Sequence, residues 1–95
     1  MSYQILPPFK VAAIHAAPVF LDLDRTVEKA VGLIEEAGHQ GARVVVFPEA
    51  FIPGFPYWVN LSSVLFHGKL FVRLWENSID LSSDAAVIRP LQDAA

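Results

Sequence analysis

The sequence predicts an α/β fold that opens with a βαβ unit, on three observations. Two short runs, Val11-Ala12-Ala13-Ile14-His15 and Arg43-Val44-Val45-Val46-Phe47, are largely apolar, and the second is dominated by β-branched residues. Between them lies a stretch whose apolar residues recur at helical spacing. Strand, helix and strand follow one another within residues 11–47, so the strands are expected to be parallel and the crossover right-handed.

Each element has its own signal. Residues 1–10 read as a lead-in, held extended by Pro7-Pro8. The first strand closes before Pro18, which cannot donate to a ladder. Asp24 is the expected N-cap of a helix starting at Arg25, with Glu28 suited to the positive helix end. Val27, Ala30, Val31, Ile34 and Ala37 make one apolar face, and Arg25, Glu28, Lys29, Glu35 and Glu36 mostly occupy the other side. Gly38 or Gly41 ends this helix. Arg43–Phe47 has the look of a strand covered on both faces.

From Pro48 to Pro56 the chain is a loop, and Pro48, Pro53, Gly54 and Pro56 give it a specific path. A second helix is expected from near Asn60 or Ser62. Leu61, Val64, Leu65, Phe71, Val72 and Trp75 keep helical spacing, and Phe66, Leu70 and Leu74 form a second stripe, so this helix expects cover on two sides. A third, capped within Ser82-Ser83-Asp84, carries Val87, Ile88, Leu91 and Ala94, with Pro90 either kinking it or delaying its start.

Composition excludes several functions. With 54% hydrophobic and 18% charged residues the chain is a core former, not a disordered segment. Seven Lys and Arg against ten Asp and Glu, without a basic stripe, argue against a nucleic-acid partner. There is no cysteine, hence no disulfide, thiolate metal site or cysteine nucleophile in this chain, which fits a reducing compartment. His15, His39 and His67 are too far apart for a local metal motif, and His39 is most simply a dipole partner near a helix end. With no Gly-rich phosphate loop, serine elbow or dinucleotide fingerprint, no cofactor is expected.

The N-terminus lacks the basic-then-apolar pattern of a signal peptide. Pro18, Asp22, Pro48, Pro53 and Pro56 cut the apolar stretches short of the roughly 20 residues a membrane span needs. A cytoplasmic protein with no membrane partner is expected. The chain stops at Ala95 without a C-cap signal, and two strands offer too little surface for the apolar helix faces. Residues 1–95 are therefore expected to be the N-terminal piece of a longer domain.

Glu49 is the site candidate. It follows the second strand at the edge where parallel α/β sheets place their ligands. Phe47, Pro48, Ala50, Phe51 and Ile52 around it are apolar, and a carboxylate desolvated by such neighbours becomes a serviceable general base. From the pattern alone a solvated loop glutamate after a proline is the more ordinary reading, since loop carboxylates are common and perturbed ones few. Phe51, Phe55, Tyr57 and Trp58 read first as packing, and Gly54 as a turn residue.

The segment Val44-Val45-Val46-Phe47-Pro48-Glu49-Ala50-Phe51-Ile52-Pro53-Gly54-Phe55-Pro56-Tyr57-Trp58 closely resembles the first catalytic segment of the nitrilase branch of the carbon–nitrogen hydrolases. Val11–Val19 resembles that family's first strand, and Trp75-Glu76-Asn77-Ser78 a stretch found downstream. The resemblance implies the N-terminal part of a four-layer α-β-β-α sandwich that associates as homo-oligomers. It also implies conversion of a nitrile to a carboxylic acid and ammonia by a glutamate base, a lysine, a second glutamate and a cysteine. Glu49 matches the first of these, and Tyr57, following directly on its loop, becomes a candidate substrate-binding wall.

Lys10 and Lys69 lie in nothing like the family's lysine motif and inherit no role. His15 stands where the family often has glutamine, and Phe55 where tyrosine is frequent. An amidase or carbamoylase of the same superfamily is the alternative among enzymes. A non-catalytic remnant or interaction fragment, binding through its apolar helix faces, is the alternative of another class. Because the thiolate is the nucleophile in this chemistry, the isolated 95-residue chain is expected to release no ammonia from a nitrile above a Glu49→Ala control. Ammonia above that control would contradict the expectation.

Overall fold

Two extended segments separated by a full helix cannot form a hairpin, and they pair in parallel. The computed structural model describes residues 6–61, 64–82 and 85–95. Its elements are β1 (Lys10–Ala13), α1 (Leu23–His39), β2 (Ala42–Val46), α2 (Trp58–Leu61), α3 (Val64–Glu76) and α4 (Ala85–Ala94). Val11 lies opposite Val44, Ala12 opposite Val45 and Ala13 opposite Val46. Beyond the ladder, the Ile14 N–H donates to the Val46 carbonyl at 2.8 Å. The expected α/β unit is therefore present, and the loops that follow β1 and β2 leave from one edge of the sheet.

The N-cap of α1 is Asp22, earlier than the expected Asp24. Leu21 takes a left-handed φ of 53°, which turns the chain and leaves Asp22 as the last extended residue (φ −131°, ψ 96°). The Asp22 carboxylate accepts the Arg25 N–H at 3.1 Å, and Asp24 becomes a first-turn acid facing the positive helix end. Val27, Ala30 and Ala37 are buried as their spacing requires, while Arg25, Glu28, Lys29, Glu35 and Glu36 are exposed. Thr26 has no exposed surface, and its hydroxyl donates to the Val19 carbonyl at 2.7 Å. Of the two candidate terminators, Gly41 acts: at φ 89° it lies past the helix end, and its N–H donates to the Gly38 carbonyl at 2.9 Å. The Lys10 ammonium donates to the Gln40 carbonyl at 2.8 Å, placing a cation at the negative end of α1.

The second strand was expected to be covered on both faces, and within this chain one face is covered. Ala12 and Val45 share a half-buried face, and α1 packs against β2. Val11, Ala13, Val44 and Val46 share the other face and are exposed. Side chains alternate along a strand, so a single helix can shield only one side.

The helix after the loop begins at Trp58, and α3 follows it, with Phe71, Val72 and Trp75 exposed. Ser62, Ser83 and Asp84 lie outside the described residues. α4 packs on α1 and continues through Pro90 instead of starting after it. The proline supplies no N–H to the Ala86 carbonyl, but Ala86 is exposed and water can serve that acceptor. At α3's end, the Asn77 side chain accepts the Leu23 N–H at 3.0 Å and donates to the Arg73 carbonyl at 2.8 Å, tying α3 to the start of α1. The radius of gyration is 16.6 Å, against about 13 Å for a compact domain of this length.

Replacing Thr26 by Val removes the bond to the Val19 carbonyl while keeping the side-chain shape. That carbonyl retains the Asp22 N–H at 3.0 Å, so the expected cost is one net hydrogen bond, about 1 kcal/mol. The check is a lowered urea midpoint at unchanged slope.

Candidate active site

Glu49 sits in a tight turn. The Phe51 N–H donates to the Pro48 carbonyl at 3.3 Å, which closes residues 48–51 into a four-residue turn. Ala50 has φ 52°, at the turn position where type II geometry favours glycine. A left-handed conformation costs an L-residue about 1 kcal/mol, so surrounding structure must hold it. Phe51 supplies the hold: it is buried, with its ring 5.1 Å from that of Phe47 between centroids. Glu49 is left at the tip of the turn, exposed.

The next segment locks onto the loop after β1. The Ile52–Pro53 peptide is cis, and the Pro53 carbonyl accepts the Leu21 N–H at 3.1 Å. Gly54 has φ 124°, and a Cβ there would lie 2.6 Å from Cδ2 of Phe20. Only glycine permits that approach, which gives the turn role read from the sequence a steric cause. Phe20 then meets Trp58 edge-on with centroids 6.0 Å apart and Tyr57 at 6.3 Å, while Tyr57 also lies 5.2 Å from Phe55.

Between the two loops lies a cavity of about 700 Å³. One wall is His15–Pro18 with Phe20, and the other is Pro48–Phe51 with Phe55, Tyr57 and Trp58; Leu70 of α3 closes one side. Glu49 is the carboxylate of this lining, and it shares the cavity with Tyr57 and His15. A carboxylate beside apolar walls is an acceptor for the proton of a nucleophile brought opposite it.

The expected desolvation of Glu49 is not supplied by this chain. Pro48, Ala50 and Phe51 line the cavity with it, but Phe51 is itself buried and Glu49 remains exposed. Tyr57 is 60% exposed on the cavity wall, a position open to a ligand, whereas Trp58 is buried as packing. His39 lies in the last turn of α1. Among the described residues no three histidine or carboxylate groups gather as metal ligands. Leu70 was read from the sequence only as part of an apolar helix stripe, and Phe20 was not singled out at all. Phe20 is a lone aromatic in a loop, and its role arises from contact with Gly54, which is far along the chain.

The family model for carbon–nitrogen hydrolases matches residues 10–95. A nitrilase of Bacillus sp. (strain OxB-1) is 46% identical over 77 residues, covering 81% of this chain and 23% of that protein. An aliphatic nitrilase of Rhodococcus rhodochrous is 46% identical over 87 residues, 90% of this chain and 22% of the relative. A cyanide hydratase of Penicillium rubens is 38% identical over 94 residues, 96% of this chain and 25% of the relative. The chain thus spans about a quarter of the length of these relatives.

Since Phe51 anchors the turn that presents Glu49, Phe51→Ala should destabilise the fold by about 3 kcal/mol, the usual cost of emptying a buried aromatic site. Thermal or urea unfolding measures it, and an unchanged midpoint would show that the turn is held by other contacts.

Proposed function

The chain belongs to the carbon–nitrogen hydrolase family, and on that premise we propose that it forms the N-terminal portion, with residues 1–10 as lead-in, of a single domain that hydrolyses a nitrile to a carboxylic acid and ammonia. Glu49 is the general base. The observation that carries this reading is the place of Glu49 in a hydrogen-bonded turn after the second strand, lining a largely apolar cavity.

The chemistry follows from what a carboxylate can do beside a thiol. Glu49 takes the thiol proton of a cysteine contributed from outside residues 1–95, and the thiolate adds to the nitrile carbon. The nitrile nitrogen takes up a proton, giving a thioimidate. One water molecule adds and ammonia leaves; a second water releases the carboxylic acid and restores the thiol. A lysine, also from outside this chain, stabilises the developing negative charge. Lys10 is unsuited to that part, because its ammonium is engaged at the Gln40 carbonyl. Tyr57 serves as a wall for the substrate.

The open face of Val11, Val44 and Val46 supports a four-layer α-β-β-α sandwich in which a second sheet covers it. Homo-oligomers and a cytoplasmic setting complete the reading.

The test is ammonia release from nitriles by the natural polypeptide that carries this chain. Glu49→Gln should lower kcat/KM by roughly 10²- to 10⁴-fold, the contribution of a positioned base. Equal turnover by the variant, or none by the parent, would overturn the proposal.

A further inference from the structure

We propose that Phe20 sets which nitriles the site accepts, favouring those whose substituent is an aromatic ring; this inference rests on the reading of Glu49 as the base of a nitrile-converting site. Phe20 leaves 44% of its surface exposed while lining the same cavity as Glu49. Its neighbour Trp58 is buried, so the open part of the Phe20 ring, like the exposed Tyr57, is surface that a ligand can cover.

The ring is also fixed in place from both sides. The carbonyl of Val19, just before it, accepts the buried Thr26 hydroxyl at 2.7 Å and the Asp22 N–H at 3.0 Å. Leu21, just after it, is buried, holds φ 53° and donates its N–H to the Pro53 carbonyl at 3.1 Å. Lys29 reaches back from α1 to the Ala17 carbonyl, which pins the start of the same loop. Gly54 receives the ring edge where any side chain would collide. A wall restrained in this way loses little freedom when a ligand covers it, so more of the contact energy appears as discrimination.

The geometry favours an aromatic guest. Phe20 lies 6.3 Å from Tyr57 at an interplanar angle of 44°, and 6.0 Å from Trp58 at 64°. These tilted arrangements leave ring surface facing the cavity. A guest ring can join them edge-to-face, a contact worth more than the same area of aliphatic chain. With Glu49 in the same lining, a nitrile whose ring rests on Phe20 keeps its reacting carbon inside the cavity that holds the base.

The experiment measures kcat/KM for phenylacetonitrile and butyronitrile in the natural polypeptide and in Phe20→Ala, Phe20→Leu and Gly54→Ala. The ratio of aromatic to aliphatic rates should fall roughly tenfold in Phe20→Ala and by less in Phe20→Leu. Gly54→Ala, which forces the ring from its seat, should shift the ratio in the same direction. Phe20→Leu keeps apolar bulk and decides the matter if Phe20→Ala does not fold by circular dichroism. A ratio within about twofold of the parent in the folded Phe20 variants, or an equal loss of both nitriles, overturns the inference and leaves the Glu49 reading standing. A parent that hydrolyses neither nitrile overturns both.

Discussion

The hydrogen bond from the Leu21 N–H to the Pro53 carbonyl joins the two loops that leave the parallel strands, and the candidate site depends on that junction. Loops after adjacent parallel strands diverge unless something ties them, because each must run to its own helix. Here the tie is double. The backbone bond fixes the separation, and the Phe20 ring sits against Gly54 with no room for a Cβ between them. The junction is in turn supported from α1, where Thr26 gives its hydroxyl to Val19 at the cost of being wholly buried. Its geometry forces unusual backbone at Leu21 and lies close to a second left-handed residue, Ala50. Such conformations persist where the surrounding structure over-determines them, and they concentrate at functional sites.

The same junction divides labour between the loops. The loop after β2 carries Glu49, the proposed base, at the tip of a hydrogen-bonded turn, while the loop after β1 carries Phe20 on the facing wall of the cavity. Their relative position is set before any ligand arrives, which is what a catalytic geometry needs. Among the described residues, none covers Glu49 and no second layer lies on the open face of the sheet. The valine face of the sheet and Trp75 are exposed as well, and the radius of gyration exceeds that of a compact domain of this length.

The βαβ unit was legible because it is written in local periodicity. The apolar spacing from Val27 to Ala37 and the run Val44–Val46 depend on neighbours a few residues away. Cap positions were less legible: Asp24 was the expected N-cap, and Asp22, directly after the left-handed residue Leu21, takes that place. The Glu49 loop was legible as a constrained path ending at a strand edge, and its motif carried the family resemblance. Phe20 was not, since nothing near it in sequence announces a ring that will meet Gly54. Desolvation of Glu49 was misjudged for a related reason. Apolar neighbours alone do not remove a side chain from water, and the turn buries Phe51 while Glu49 stays exposed.

The most direct test of the central claim is a crystal structure of the natural polypeptide that carries this chain, with phenylacetate bound as a product. The account predicts the carboxylate of Glu49 within hydrogen-bond reach, about 3 Å, of a cysteine sulfur at the mouth of the cavity, with the ligand ring against Phe20. A Glu49 that faces bulk solvent with no thiol in reach, or a product bound away from the two loops, would contradict it.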